Sequence, residues 1–82
     1  MIYPVYIIRD VKVGFSPDFI VQLNEAAAVR GFEYMMSNTN TINGQFPTDF
    51  ELYQTGEFDT ESGTINSIVP PKFIVSGVTF VE

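Results

Sequence analysis

The sequence predicts a small α+β domain: a mixed or antiparallel sheet of about five strands with one helix packed on one face, in the order β-β-α-β-β-β. Three stretches carry that prediction. Phe50, Leu52 and Gln54 lie on one side of an extended run while Glu51, Tyr53 and Thr55 lie on the other, the two-residue period of a strand. Ala28, Val29, Phe32, Met35 and Met36 fall at i, i+1, i+4, i+7 and i+8, one apolar stripe of a helix with Arg30 and Glu33 off it. Tyr3 to Ile8 is apolar on both faces, the pattern of a strand covered on both sides.

Taken in order, the Tyr3 to Ile8 strand belongs near the centre of the sheet, although Pro4 restricts its pairing. Arg9-Asp10-Val11-Lys12 reads as a polar connection. Val13, Phe15, Phe19, Val21 and Leu23 then alternate with Gly14, Ser16, Asp18 and Gln22, and Pro17 in their midst, having no N–H to donate, argues for an edge strand or a bend. Asn24 is suited to cap a helix running from Glu25 to about Ser37, because its side-chain oxygen can accept from a first-turn amide and Glu25 complements the positive helix end. Gly31 weakens that helix and suggests close packing against a strand.

Ser37 to Gln45 is uncharged and rich in Asn and Thr, with Asn43-Gly44 favouring a turn, and reads as the main loop. A strand from about Phe50 to Phe58 follows, with Gly56 marking a bulge or a close backbone approach. Asp59-Thr60-Glu61-Ser62-Gly63 supplies turn formers, so the chain returns as a hairpin through Thr64 to Val69. Pro70-Pro71 breaks the ladder, and Phe73 to Val81 resumes an extended pattern with a weak point at Gly77. Phe15, Phe19, Phe50, Phe58, Phe73 and Phe80 are more aromatic surface than one helix covers, which implies a curled, partly closed sheet or a sheet buried by a second copy. A homo-oligomer, a dimer foremost, is the expectation.

Eighty-two residues make one domain, 1–82, without repeats. A chain of that size buries only roughly 60–65% of the surface its unfolded form exposes, so stability is marginal. There is no cysteine to form a disulfide or a thiolate zinc site, and no histidine to serve as metal ligand or general base. No cofactor is implied. Ten acids against four bases give a formal charge of −6, which opposes binding to phosphate backbones. No apolar run approaches the ~20 residues of a membrane span, and the first residues lack the pattern of a signal peptide, so no membrane association is expected and the compartment reads as intracellular.

Two groups of residues carry candidate function. Asp49, Glu51, Glu57, Asp59 and Glu61 form an acidic set that reads most simply as a solvated strand face and turn, or else as a protein-partner patch. Its spacing shows no enclosing cleft for acid–base work, and Asp59-x-Glu61-x-Gly63 lacks the ligand series of a calcium loop. For nucleic acid the ingredients are Arg9, Lys12 and Lys72 with Tyr6 and Tyr53, since single-strand binders pair a basic groove with stacking rings. Arg30, Tyr3 and Tyr34 complete the chain's bases and tyrosines, and the same rings serve equally to finish an apolar core. No Ser/His, Cys/His, Walker-type or metal-ligand arrangement is present, so no enzyme is expected.

A family resemblance adds to this reading. Pro47, Asp49, Phe50, Leu52, Gly56, Glu57, Phe58, Asp59, Gly63, Pro71, Gly77 and Phe80 form a pattern that resembles the small nonstructural protein of gokushovirus-type Microviridae. Upstream, Tyr3 to Ile8, Pro17-x-Phe19 and Asn24-Glu25-Ala26 continue it more loosely, while Ser37 to Gln45 matches no family motif. The resemblance implies a non-capsid accessory protein of a small single-stranded-DNA phage, in the cytoplasm of the infected bacterial host. It would assist the switch from duplex replication to single-strand synthesis and packaging. The charge of −6 favours action through protein contacts, with a viral replication or assembly protein as partner. Direct single-stranded-DNA binding and an acidic DNA mimic are the alternatives.

Overall fold

The computed structural model describes residues 1–80. Five antiparallel strands form one sheet: β1 (Ile2–Asp10), β2 (Gly14–Phe15), β3 (Ile20–Val21), β4 (Phe50–Asp59) and β5 (Thr64–Ser76). The order is β2-β1-β4-β5, with β3 also paired to β1, so β1 is interior as its two apolar faces require. The main helix α1 (Glu25–Ser37) and one short turn of helix, α2 (Ile42–Gln45), join β3 to β4.

Local chemistry sets most of these boundaries. Asn24 is extended, and its side chain accepts from the Ala27 N–H at 2.9 Å, capping α1. At the tip of the β4–β5 hairpin Gly63 takes a left-handed φ of 72°, which an L-side chain would oppose. At Gly56 a Cβ would stand 2.6 Å from the Asn66 carbonyl oxygen, so the backbones meet there as closely as glycine permits. The β4–β5 register slips between Gln54 and Gly56.

Several boundaries differ from the sequence-based expectation. The single alternating strand expected from Val13 to Leu23 is two bridges, β2 and β3, because Pro17 stands where a ladder N–H would be needed. Conversely, the two C-terminal strands are largely one: β5 continues through Pro70-Pro71. Gln54 faces Lys72 and Gly56 faces Ser67, so residues 68–71 bow out of the ladder opposite the single residue Thr55. Beyond Ser76 the chain coils into a 3-10 turn, Gly77–Phe80, instead of staying extended; Val81 lies outside the described residues. Ser37 to Gln45 is not wholly loop, since Thr41 caps α2 at the Gly44 N–H and the expected Asn43-Gly44 turn is helical. Nor does Gly31 meet a strand: a Cβ there would approach only the Gln22 side-chain nitrogen, at 3.8 Å.

The core lies between the sheet and α1. Tyr6, Ile8, Phe50 and Leu52 from the strands meet Ala28, Phe32 and Met36 from the helix, with Val29 half-buried. The C-terminal 3-10 turn closes one end, setting Phe80 edge-to-face on Phe32 with ring centroids 6.0 Å apart. Among the described residues no buried side-chain polar atom lacks a hydrogen-bond partner.

Candidate functional site: the uncovered face of the sheet

Alternation along β1 sends Tyr6 and Ile8 into the helix-side core and Tyr3, Val5, Ile7 and Arg9 to the opposite face. Cross-strand partners share a face, so the register assembles the rest. Phe15 lies opposite Arg9 and Val21 opposite Val5; Glu51, Tyr53 and Phe58 lie opposite Arg9, Ile7 and Tyr3. On β5, Phe73 and Ile65 face Tyr53 and Phe58. Val5 and Ile7 are buried yet stand apart from the helix-side cluster; they form the floor of this second face.

Above the floor three rings make a ladder across the sheet. Phe15 and Tyr53 meet edge-to-face at 5.2 Å, and Tyr53 and Phe73 at 5.6 Å. Phe15 is 48% exposed and Phe73 51% exposed, so the ladder's two ends stand open to solvent. Arg9 supplies the one cation by its register, 5.9 Å from the Phe15 ring centroid. Glu51 holds it at 3.2 Å while also accepting from the Tyr53 hydroxyl at 3.0 Å. Among the described residues the charges of this face therefore cancel within it.

The nucleic-acid candidates do not converge. Tyr6 is 1% exposed inside the core, where burial and then repulsion from Glu25 raise its pKa and keep the phenol neutral; no base can stack on it. Arg9 and Tyr53 share the open face, but Lys12 sits in the β1–β2 turn 3.8 Å from Asp49, and Lys72 reaches Glu25 of α1, also at 3.8 Å. Among the described residues only Arg30 of the four Lys and Arg side chains is outside an ion pair.

The acidic candidates are scattered likewise. Asp49 and Glu51 are bound to Lys12 and Arg9, and Asp59 accepts from the Glu61 N–H at 2.9 Å at the hairpin turn. That bond, with help from Ser62 and the N-terminal ammonium, holds the Asp59 pKa below the usual carboxylate range. Glu57 is exposed, opposite Pro4 and so on the side away from Glu51, and Glu61 is exposed in the turn. Among the described residues no row of carboxylates spaced like phosphates forms along one face.

Phe15, Val21, Ile65 and Phe73 belong to the open face; the sequence marks Phe15 and Phe73 only as surplus aromatic surface and does not single out Val21 or Ile65 as site residues. Their joining depends on register, which slips at the Leu52/Tyr53 and Gln54/Gly56 steps of β4–β5. On the helix side, an open cleft of about 430 Å³ is floored by Ile8, Ile20, Met35 and Phe50. Asp10 and Asp18 also line it, and each carboxylate already accepts a local hydrogen bond, from the Lys12 N–H and the Ser16 hydroxyl. Among the described residues no cluster of metal-ligating side chains occurs, and no helix is long and apolar enough to cross a membrane.

No match was found among curated proteins or solved structures. A family model described as Phage ORF5 protein matches residues 3–80, which take in every strand and helix described above except the first residue of β1. That span is nearly the entire sequence, and the chain belongs to the Phage ORF5 protein family.

Proposed function

We propose that this phage protein is a non-enzymatic accessory of a small single-stranded-DNA phage of the gokushovirus type. It assists the switch from duplex replication to single-strand synthesis and packaging, in the cytoplasm of the infected bacterium and outside the capsid. The resemblance in residues 47–80 and membership of a phage protein family support this setting. Contact with protein, the replication or assembly machinery included, is the mode of action.

The observation that carries this mode is the open face of the sheet. It offers half-exposed Phe15 and Phe73 beside Tyr53, while its one cation, Arg9, is neutralised by Glu51. A single-strand binder needs free cations along a groove beside stacking rings. Here Lys12 and Lys72 are each paired elsewhere, on a chain of net charge −6. Single-strand binding remains the second reading because Arg9 lies beside two rings of the ladder, and it predicts that Tyr53→Ala weakens binding.

Fluorescence anisotropy of a labelled single-stranded oligonucleotide, titrated with protein to tens of micromolar, tests the choice. No binding at low salt, where attraction to phosphate is strongest, is the expected result. Salt-sensitive, Tyr53-dependent binding would overturn it. In infected cells Phe73→Asp is expected to lower single-stranded progeny DNA relative to duplex DNA; an unchanged ratio counts against the assignment.

A further inference from the structure

We propose that a second copy of this chain covers the open sheet face, two sheets stacking through the Phe15–Tyr53–Phe73 ladder into a closed dimer. This rests on the reading of that face as a protein-binding surface and names its occupant.

Charge makes the first argument. Two copies of a −6 chain repel, and they can meet closely only where neither brings an unpaired charge to the contact. The open face meets that condition, because its one carboxylate and one guanidinium are bound to each other at 3.2 Å. A partner attracted by the net charge would be basic, and it would seek exposed carboxylates such as Glu33, Glu57 and Glu61, which lie on the helix, off this face or in the turn. Surface chemistry agrees with a self-contact. In a two-fold contact the same patch faces itself, and apolar rings and β-branched side chains complement their own kind as charged groups do not. Val21 at 52% and Ile65 at 59% exposed extend the apolar area beyond the ladder.

Area makes the second argument. The nine residues of β1 span about 30 Å, and four strand rows at ~4.8 Å span about 19 Å. That footprint, roughly 550 Å² per copy before corrugation, gives a total somewhat above the ~1,000 Å² a specific interface needs. Sheets stacked face to face lie about 10 Å apart, a gap that rings of this size fill from both sides.

Light-scattering mass across a concentration series, with and without moderate salt, tests the proposal on three proteins. Wild type is expected at about twice 9.2 kDa at tens of micromolar, with the dimer fraction rising as salt screens the mutual repulsion. Phe73→Asp is expected to be a folded monomer by circular dichroism, and Ile42→Asp, which changes an exposed apolar residue on the helix side, to remain dimeric. Should Phe73→Asp not fold, Phe15→Ser at the other end of the ladder takes its place. A wild-type monomer throughout, or a folded Phe73→Asp dimer, overturns the proposal. A wild-type monomer that binds no oligonucleotide leaves the protein-contact reading standing with a different occupant; one that binds it in a salt-sensitive, Phe73-dependent way removes both.

Discussion

Gly31 sits inside α1 with nothing nearer to its absent Cβ than the Gln22 side-chain nitrogen, at 3.8 Å. An alanine fits without displacement and removes the backbone freedom that glycine loses on folding, a gain of up to about 1 kcal/mol. Gly31→Ala is therefore expected to raise Tm by about 4–8 °C, read in a thermal melt. Asp59 gives a residue-level effect that depends on pH. Its folded pKa is depressed by the Glu61 N–H first of all, so its stabilisation is fully present above the unfolded value of about 3.9 and fades as pH falls through the lower folded value. Asp59→Asn keeps an acceptor and loses the charge. Its Tm is expected below wild type at pH 7, with the gap closing in strong acid; a gap independent of pH would contradict this. Residue-scale features of this kind were the most legible in the sequence. The Asn24 cap and the Gly63 turn each rest on atoms within four positions of one another along the chain.

At the scale of elements, α1 is held by the ring of Phe32, which is fully buried against the sheet. Phe→Ala in such a place costs about 3–5 kcal/mol, while 82 residues at ~0.05–0.15 kcal/mol each give about 4–12 kcal/mol in all. Phe32→Ala is expected to move the urea midpoint to a small fraction of its wild-type value or to abolish the cooperative transition. Element identity was readable wherever one periodicity held: β1, α1 and β4 appear where the pattern put them. Where strands begin and end was less so. Pro17 and Pro70-Pro71 both interrupt an extended run in sequence, yet the first divides β2 from β3 and the second is carried through β5 as a bow. One partner strand pairs on either side of the break in both places; the difference lies in the arms, two paired residues on each side of Pro17 but four on each side of the bow, and that support cannot be read from the prolines alone.

Over the whole molecule, function rests on which residues share a face, and this was the least legible level. The α+β class, the curled sheet and the single main helix follow from the local patterns. The grouping of Phe15, Tyr53 and Phe73 follows instead from register across β2, β1, β4 and β5, which the bulges set. A one-residue slip would have exchanged the open face for the core. The same dependence explains why Tyr6, in a run apolar on both faces, lies on the opposite side of the sheet from Tyr53.

The placement of proline along the two outer strands limits what the protein can build. An exposed strand edge is a template for further strands, and such growth ends in fibres. On one side Pro17 parts β2 from β3, leaving two short bridges; on the other, β5 carries Pro70 and Pro71, which present no N–H to an incoming strand. Replacing Pro17, Pro70 and Pro71 together with threonine is expected to raise thioflavin fluorescence on prolonged incubation at high protein concentration, while wild type stays dark. With both margins interrupted by proline, the sheet resists lengthening into a fibre while its open face stays accessible.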